Sequence, residues 1–447
     1  MQICKSLRHA TVLGMRINLS RALTASVFLG VSLSSASAFA ADPPPCEQLD
    51  QATMPQKNVI TRVYIESGDT QTPMLQRLGA ELLKSNTPLR IIFRERPTCT
   101  LAKDMFGTDP RMNIAQDTNA TTMVVTPRPV RYIPDNTVIP SDQKAPICTV
   151  PADAASAKPI QLGIGATYLS SCGLTQPTTI TVVNGPVQAY GFVTNLLSNQ
   201  VAITAEEGYL AFGFAEGAGN ATPWILKNLK FQRAGTASTT LTMAAAIRVP
   251  APKMLGTVLS PDTSANIVTQ VQGATANPDA ALGTLGMDLY DTNRDKVKLL
   301  AFRTFQQRFA YYPDATSTSF DKSNVRDGHY APWAPTPYIA PATNGVFTDP
   351  AAQRIFQLVM GLAGPAAPTT DDVDGLKAIV QSSLVPECAM KVTRTGDGAD
   401  FSLYSDPNPC GCYFEANVSG GTTSCTACTT ASQCGTGVCR YGYCEAK

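Results

Sequence analysis

The sequence predicts an α/β chain of two lobes with a small disulfide-rich C-terminal appendage. Three observations lead there. From about residue 58, strand-type and helix-type segments alternate, and helices between strands imply parallel pairing. The chain has 447 residues, too many for one compact core. Eight of its thirteen cysteines lie between Cys388 and Cys444, where the long apolar runs stop.

The first 40 residues are not read as fold. Lys5, Arg8, Arg16 and Arg21, with no acidic residue among them, precede the apolar run ALTASVFLGVSL and the small residues Ala38 and Ala40. This is the order of a secretory signal peptide cut after about Ala40. The apolar run is too short to span a membrane well, and Cys46 follows three prolines, unlike a lipoprotein signal. No later segment reaches transmembrane length. The expected mature chain is soluble and exported, to the periplasm or the cell exterior. Losing four cations turns the net charge from +1 to −3. So weak a charge gives no footprint for nucleic acid or an anionic membrane.

Residues 41–57 form a polar, Pro-rich leader. NVITRVYIES reads as a buried strand ending in the turn SGDTQTP. In MLQRLGAELLK, Met74, Leu75, Leu78, Leu82 and Leu83 share one helical face. PLRIIF supplies a second strand. Residues 107–160 read as irregular, with a candidate strand TMVVTPRPV. PIQLGIGATYL, TTITVVNGPVQAYGFVTN and WILKNLKFQR read as strands, and so do NIVTQV, LGTLGMDLY and VKLLAF. Thr204 with Glu207 has capping-box spacing, each side chain satisfying the other's backbone N–H. Two late helices are expected, AAQRIFQLVMGLAG and DDVDGLKAIVQSSL, the second capped by Thr369 or Thr370.

The stretch RAGTASTT, followed by the helical LTMAAAIRV, carries the functional question. A strand that ends in arginine and turns into a helix is a ready anion site, because the first N–H groups and the helix dipole face outward. Arg233 can grip two oxygens at once, and Ser238 and Thr239 can donate hydroxyl protons. A capped surface turn is the plainer alternative.

At this point the chain resembles the phosphate-binding periplasmic proteins of ABC importers, in the two-lobed type 2 solute-binding superfamily. In that family a strand leads to Arg, three residues, then Ser-Gly-Thr; here Arg233 leads to Ala237-Ser238-Thr239. VYIESGDTQTP resembles the first phosphate loop, RPTCTLAKDMF the second, and LGIGATYLSSC the segment that carries Ser-Asp in many members. ITAEEGYLAFGFAEGAGNATPW and DKSNVRDGHYAPWAP resemble further family segments, over roughly residues 58–345. The resemblance implies a type 2 periplasmic-binding-protein fold. The first lobe would use 58–185 and 285–345, and the second 186–284. A helical extension (346–387) and a Cys-rich module (388–447) follow. It implies a monomer that binds a small oxyanion, phosphate foremost, and meets an ABC transporter permease. No bond is broken and no cofactor is called for. Arg233 would supply charge; Ser238, Thr239, Thr98, Ser67, Gly68 and Thr70 would supply donors. The family's Asp is absent, Gly165-Ala166 standing in place of Ser-Asp. Asp69, or else Glu66, would replace that acceptor, which lets a site choose hydrogen phosphate over sulfate. Otherwise the chain is an interaction protein that kept the fold and lost the anion.

His329 is the only histidine after the leader, and no G-x-S-x-G elbow is present, which disfavours a hydrolase. Arg326 is expected in an ion pair with Asp321 or Asp327, or else at the ligand. Removal of Cys4 leaves twelve cysteines, and an even count in an exported chain reads as disulfides. Cys46 with Cys99 and Cys148 with Cys172 are the expected outer pairs. Cys388, Cys410, Cys412, Cys425, Cys428, Cys434, Cys439 and Cys444 staple the tail in an order left open. Zinc at the C-x-x-C is disfavoured by the lack of histidine. DTNRDK at Asp291 to Lys296 lacks a full calcium-ligand set.

Overall fold

The computed structural model describes residues 43–49, 60–112, 129–134, 144–151, 156–215, 218 and 221–446. The expected signal peptide and most of the expected leader lie outside them, as does most of the candidate strand TMVVTPRPV.

One continuous sheet runs through the molecule. Its order is Thr257–Val258, Lys230–Gln232, Leu282–Gly286, Ile180–Asn195, Trp333–Thr343, Leu162–Ile164, Thr61–Ser67, Leu89–Glu95, Val130–Tyr132. Thr61–Ser67 pairs in parallel with Leu89–Glu95 and Leu162–Ile164. Lys230–Gln232 pairs in parallel with Thr257–Val258 and Leu282–Gly286. Between these two parallel ends lie the two longest strands, Ile180–Asn195 and Trp333–Thr343, antiparallel to each other and broken in register between Pro335 and Pro337. Ile180–Asn195 pairs with Leu282–Gly286 on one side and Trp333–Thr343 with Leu162–Ile164 on the other, so together they join two α/β lobes.

The first lobe packs the helix Thr72–Lys84 on one sheet face, with Met74, Leu75, Leu78, Leu82 and Leu83 buried as their spacing predicts. The helix Thr98–Met105 covers the other face through Leu101, Ala102 and Met105. The second lobe centres on Phe192, Phe212, Trp224, Met243 and Ile267. The helix Ala205–Gly213 starts at the predicted capping box: Glu207 N–H donates to Thr204 Oγ1 at 3.0 Å, and Thr204 N–H to Glu207 Oε2 at 2.7 Å.

Several expectations change. NIVTQV is not a strand but part of the helix Ser264–Gly273, capped by Thr263 and burying Ile267, Val268 and Val271. Ile267 and Val268 each lie about one helical turn from Val271, and tertiary burial overrides their β-branched preference. The later helix is Gly375–Val380, capped by Asp374 rather than Thr369 or Thr370. Met287, Val297, Phe302, Val325 and Trp333 pack in the second core. Tyr338 and Ala340, further along the same stretch, pack in the first core.

All twelve described cysteines are paired. The outer pairs differ from expectation: Cys46 joins Cys148 and Cys99 joins Cys172. The physical reason is local. The leader runs beside residues 144–150, with Cys46 N–H donating to the Thr149 carbonyl at 2.9 Å. Cys99, in the first turn of its helix, faces the turn Leu169–Cys172. In the tail, Cys388 joins Cys410, Cys412 joins Cys425, Cys428 joins Cys439 and Cys434 joins Cys444. The tail is not a detached bead. Cys410, Tyr413 and Phe414 pack into the second core, and Glu445 accepts from Cys412 N–H and Tyr413 N–H at the start of the helix Gly411–Asn417.

Burial, and then the charge of Asp406, push Glu387 up to about 7 from 4.5. A carboxyl whose folded pKa is raised favours the unfolded chain as soon as that chain ionises. Stability therefore falls as pH climbs from 4.5 to 7 and stays low above. Glu387→Gln is expected to stabilise the protein at pH 8 by about 2 kcal/mol, allowing for the part of the side chain that water reaches. At pH 4 the two proteins should melt together; paired melting curves check this.

Candidate functional site

The strand Thr61–Ser67 delivers Ser67 and Gly68 to the centre of the sheet, and the chain then turns through Asp69–Gln71 into its helix. Gly68 N–H donates to the Ile164 carbonyl at 2.9 Å, and the Ser67 carbonyl accepts from Arg96 N–H at 2.8 Å. From the second lobe, the strand Lys230–Gln232 delivers Arg233, and the helix Ser238–Ala246 begins after the small-residue turn. Thr240 Oγ1 donates to the Arg233 carbonyl at 2.9 Å and fixes that turn. Ala237 is the helix's N-cap and brings no side-chain oxygen to its first N–H groups. The plainer alternative, a side-chain-capped turn, is therefore not what forms.

Arg233 is 2% exposed. Its Nη1 donates to Asp69 Oδ2 and to Ser264 Oγ, both at 2.6 Å, and its Nε to Asp262 Oδ1 at 2.6 Å. Burial works against its charge, but Asp69 and Asp262 outweigh burial and hold the guanidinium more firmly protonated than usual. The Asp69 contact crosses from the second lobe to the first. The residue expected to supply charge and the residue expected to accept a proton thus face each other.

The predicted hydroxyls divide into two groups. Thr98 Oγ1 accepts from Ala166 N–H at 3.0 Å. A Cβ on Gly165 would lie 2.8 Å from the Thr98 methyl and 2.7 Å from Pro337, so only glycine lets this loop approach. Thr70 accepts weakly from Gln71 Nε2 at 3.4 Å. Ser67 Oγ and Thr239 Oγ1, by contrast, are buried with no hydrogen-bond partner in the structure. Gly68 packs near Ala166, Thr70 and Thr98.

Three residues at this place escaped the sequence reading. Tyr190, from the long strand Ile180–Asn195, donates to the Ala166 carbonyl and lies beside the Ser238 and Thr70 hydroxyls; burial keeps it a phenol. Asp262 sits in SPDTS, a helix-start pattern just before NIVTQV, the segment read as strand. Asp288 was lost in LGTLGMDLY, read as strand. It starts a short helix, Met287–Asp291, and receives Gln188 Nε2 at 3.3 Å. Burial, and then the Asp69 charge, push it well above the carboxylate range. A cavity of about 370 Å³ opens beside these residues, lined from the first lobe by Asp69, Arg131 and Lys144 and from the second by Ser264, Asp288 and Lys296.

Other candidates lie elsewhere. Glu66 Oε1 is taken by Arg94, at 3.1 Å from Nε, and by Arg96, at 3.4 Å, while Glu66 Oε2 is buried with no hydrogen-bond partner. Arg326 pairs with neither Asp321 nor Asp327. Its Nη1 donates to Glu415 at 3.1 Å and its Nε to the Ala389 carbonyl at 2.9 Å. His329 is exposed and stacks on Tyr311 at 5.0 Å. Cys428, Cys434 and Cys444 cluster closely, but each sulfur is in a disulfide.

No family model and no curated protein matches the chain. Solved structures do. A phosphate ABC transporter substrate-binding protein from Clostridium perfringens, with bound phosphate, aligns at 12% identity over 73% of this chain and 99% of its own, with TM-score 0.43. An ABC-type phosphate transport receptor from Vibrio cholerae aligns at 11% identity over 66% and 91%, with TM-score 0.37. The reduced OxyR regulatory domain from Pseudomonas aeruginosa aligns at 9% over 65% and 93%, with TM-score 0.34. All three scores lie under 0.5, so the architecture rests on the chain's own strand order. By that order the chain is an α/β protein of two parallel-stranded lobes joined by two crossing strands and extended by a disulfide-rich C-terminal module.

Proposed function

We propose that the chain is an exported, monomeric solute-binding protein that holds a small oxyanion, phosphate foremost, between its lobes and delivers it to an ABC importer. The observation that carries this reading is a pair of buried hydroxyls without partners, Ser67 Oγ from one lobe and Thr239 Oγ1 from the other. An unmade buried hydrogen bond costs about 1–3 kcal/mol, and an anion's oxygens would satisfy both. The N–H groups of the helix starting at Ser238, uncapped by Ala237, add donors of the right sign. Asp69 would accept the proton of hydrogen phosphate. Twelve cysteines in disulfides accord with an oxidising compartment.

A second reading has its own support. Asp69 and Asp262 together outweigh the single charge of Arg233, which suits an interaction protein that kept the fold and lost the anion. Thermal unfolding with phosphate, sulfate, molybdate or nitrate at millimolar levels separates the two. A ligand at 100 times its dissociation constant adds about 2.7 kcal/mol. Phosphate is expected to raise the melting point of the wild type and to leave a folded Ser67→Ala/Thr239→Ala variant unmoved. If no anion shifts the wild type, the oxyanion reading fails and the interaction protein stands.

A further inference from the structure

The tail after the two lobes touches both of them at the joint. The helix Gly375–Val380 puts Ala378 and Ile379 into the first lobe's core and Leu376 and Val380 into the second's. Five residues on, Val385 pairs both ways with Val187, at 2.7 and 3.0 Å. Val187 lies in the crossing strand, opposite the register break at Pro335–Pro337. Cys388–Cys410 then fixes this segment to the disulfide module.

The chain next returns to the cleft. Arg394 Nη1 donates to the Ala331 carbonyl at 3.1 Å, and its Nη2 donates to the Trp333 carbonyl. Its guanidinium lies 4.4 Å from the Trp333 ring and 5.4 Å from Phe401. Asp397 accepts from Thr167 Oγ1 at 3.1 Å and from Ser171 Oγ at 2.5 Å. Both belong to the first-lobe loop that carries Ala166 and ends at the Cys99–Cys172 disulfide. Thr167 Oγ1 in turn meets Thr242 Oγ1 at 3.1 Å, one turn into the second-lobe helix that starts at Ser238. Tail, first lobe and second lobe are thus linked in sequence through three side chains.

We propose that residues 375–398 form a strap that holds the two lobes shut, so that the tail, rather than free bending of the crossing strands, controls access to the cleft. Two-lobed binders open by a hinge whose few residues absorb the dihedral change. Here the hinge strand is paired to Val385, and the cleft's edge is bonded to Asp397. Opening requires both contacts to release. The strap holds with or without a ligand, so its test is run on ligand-free protein.

Hydrogen exchange of the full mature chain reads it. In Asp397→Ala, the amide of Ala166 and those opening the Ser238 helix are expected to exchange at least tenfold faster than in the wild type. Amides of Thr61–Ser67 and Leu89–Glu95 should keep their rates. Equal cleft rates in the two proteins, or equal acceleration everywhere, overturn the proposal. If the alanine variant does not fold, Asp397→Asn carries the test with spin labels at the exposed Lys84 and Gln270. A second, longer distance population in Asp397→Asn supports the strap, and a single unchanged distance overturns it.

Discussion

Arg233→Met is expected to remove about 3–5 kcal/mol of stability, among the largest losses a single replacement in this chain can produce. The guanidinium is almost wholly buried, and its carboxylate partners Asp69 and Asp262 are each about one-quarter exposed. Methionine fills much of the volume but leaves two negative charges facing each other across the cleft. Most of the cost is therefore the exposure of one charge pair to its own repulsion, not the loss of an attraction. That distinction is testable. Asp69→Asn and Asp262→Asn, added to Arg233→Met, should return most of the loss, because neutral amides need no counter-charge. Urea midpoints at constant slope give both numbers. A loss under 1 kcal/mol, the range of an exposed pair, would mean that water reaches the carboxylates and that the lobes do not bear on this bridge.

Lys322→Met is expected to cost a similar amount, about 3–5 kcal/mol. Lys322 is 1% exposed, and its Nζ lies 2.8 Å from Asp291 Oδ2 and 2.9 Å from Asp314 Oδ1. Burial alone would lower its pKa, but the two aspartates hold it above the usual lysine range. Arg294 meets the same two carboxylates at 2.6 and 3.0 Å, so the cluster is electrically neutral at four charges. Removing one cation leaves a buried net negative charge that Arg294 only partly answers. The same geometry explains why the calcium-like run at Asp291 needs no calcium: the lysine ammonium lies between the carboxylates. Millimolar calcium, or a chelator, is expected to leave the wild-type melting point unmoved.

Much of the fold was legible because its cues are local. The helix face from Met74 to Leu83, the strand Ile180–Asn195 and the Thr204–Glu207 capping box each depend on residues within one turn or one strand. NIVTQV misled because β-branched residues at helical spacing satisfy both readings, and only the neighbouring sheet selects one. The disulfide partners of Cys46 and Cys99 misled for a related reason. Separations of 102 and 73 residues are set by which segments the sheet brings together, and no spacing rule contains that. At the site, RAGTASTT correctly marked a strand-to-helix turn, but not whether its start is capped. It could not reveal that Arg233 faces Asp69, 164 residues away, nor that Tyr190 and Asp288 converge on the same place.

The crossing strands also set an order of assembly. Trp333–Thr343 lies between Leu162–Ile164 and Ile180–Asn195, pairing Tyr338 with Ile164 and Trp333 with Ala189. Until residue 343 has been synthesised, both of those earlier strands keep an open edge toward the missing one. Long-range pairing of this kind is slow, and open edges invite pairing with other chains. Neither lobe can therefore finish as an independent early unit during synthesis. The joint between the lobes is therefore expected to close late, and a holdase that shields the chain before that moment should raise its folding yield more than one that acts after it.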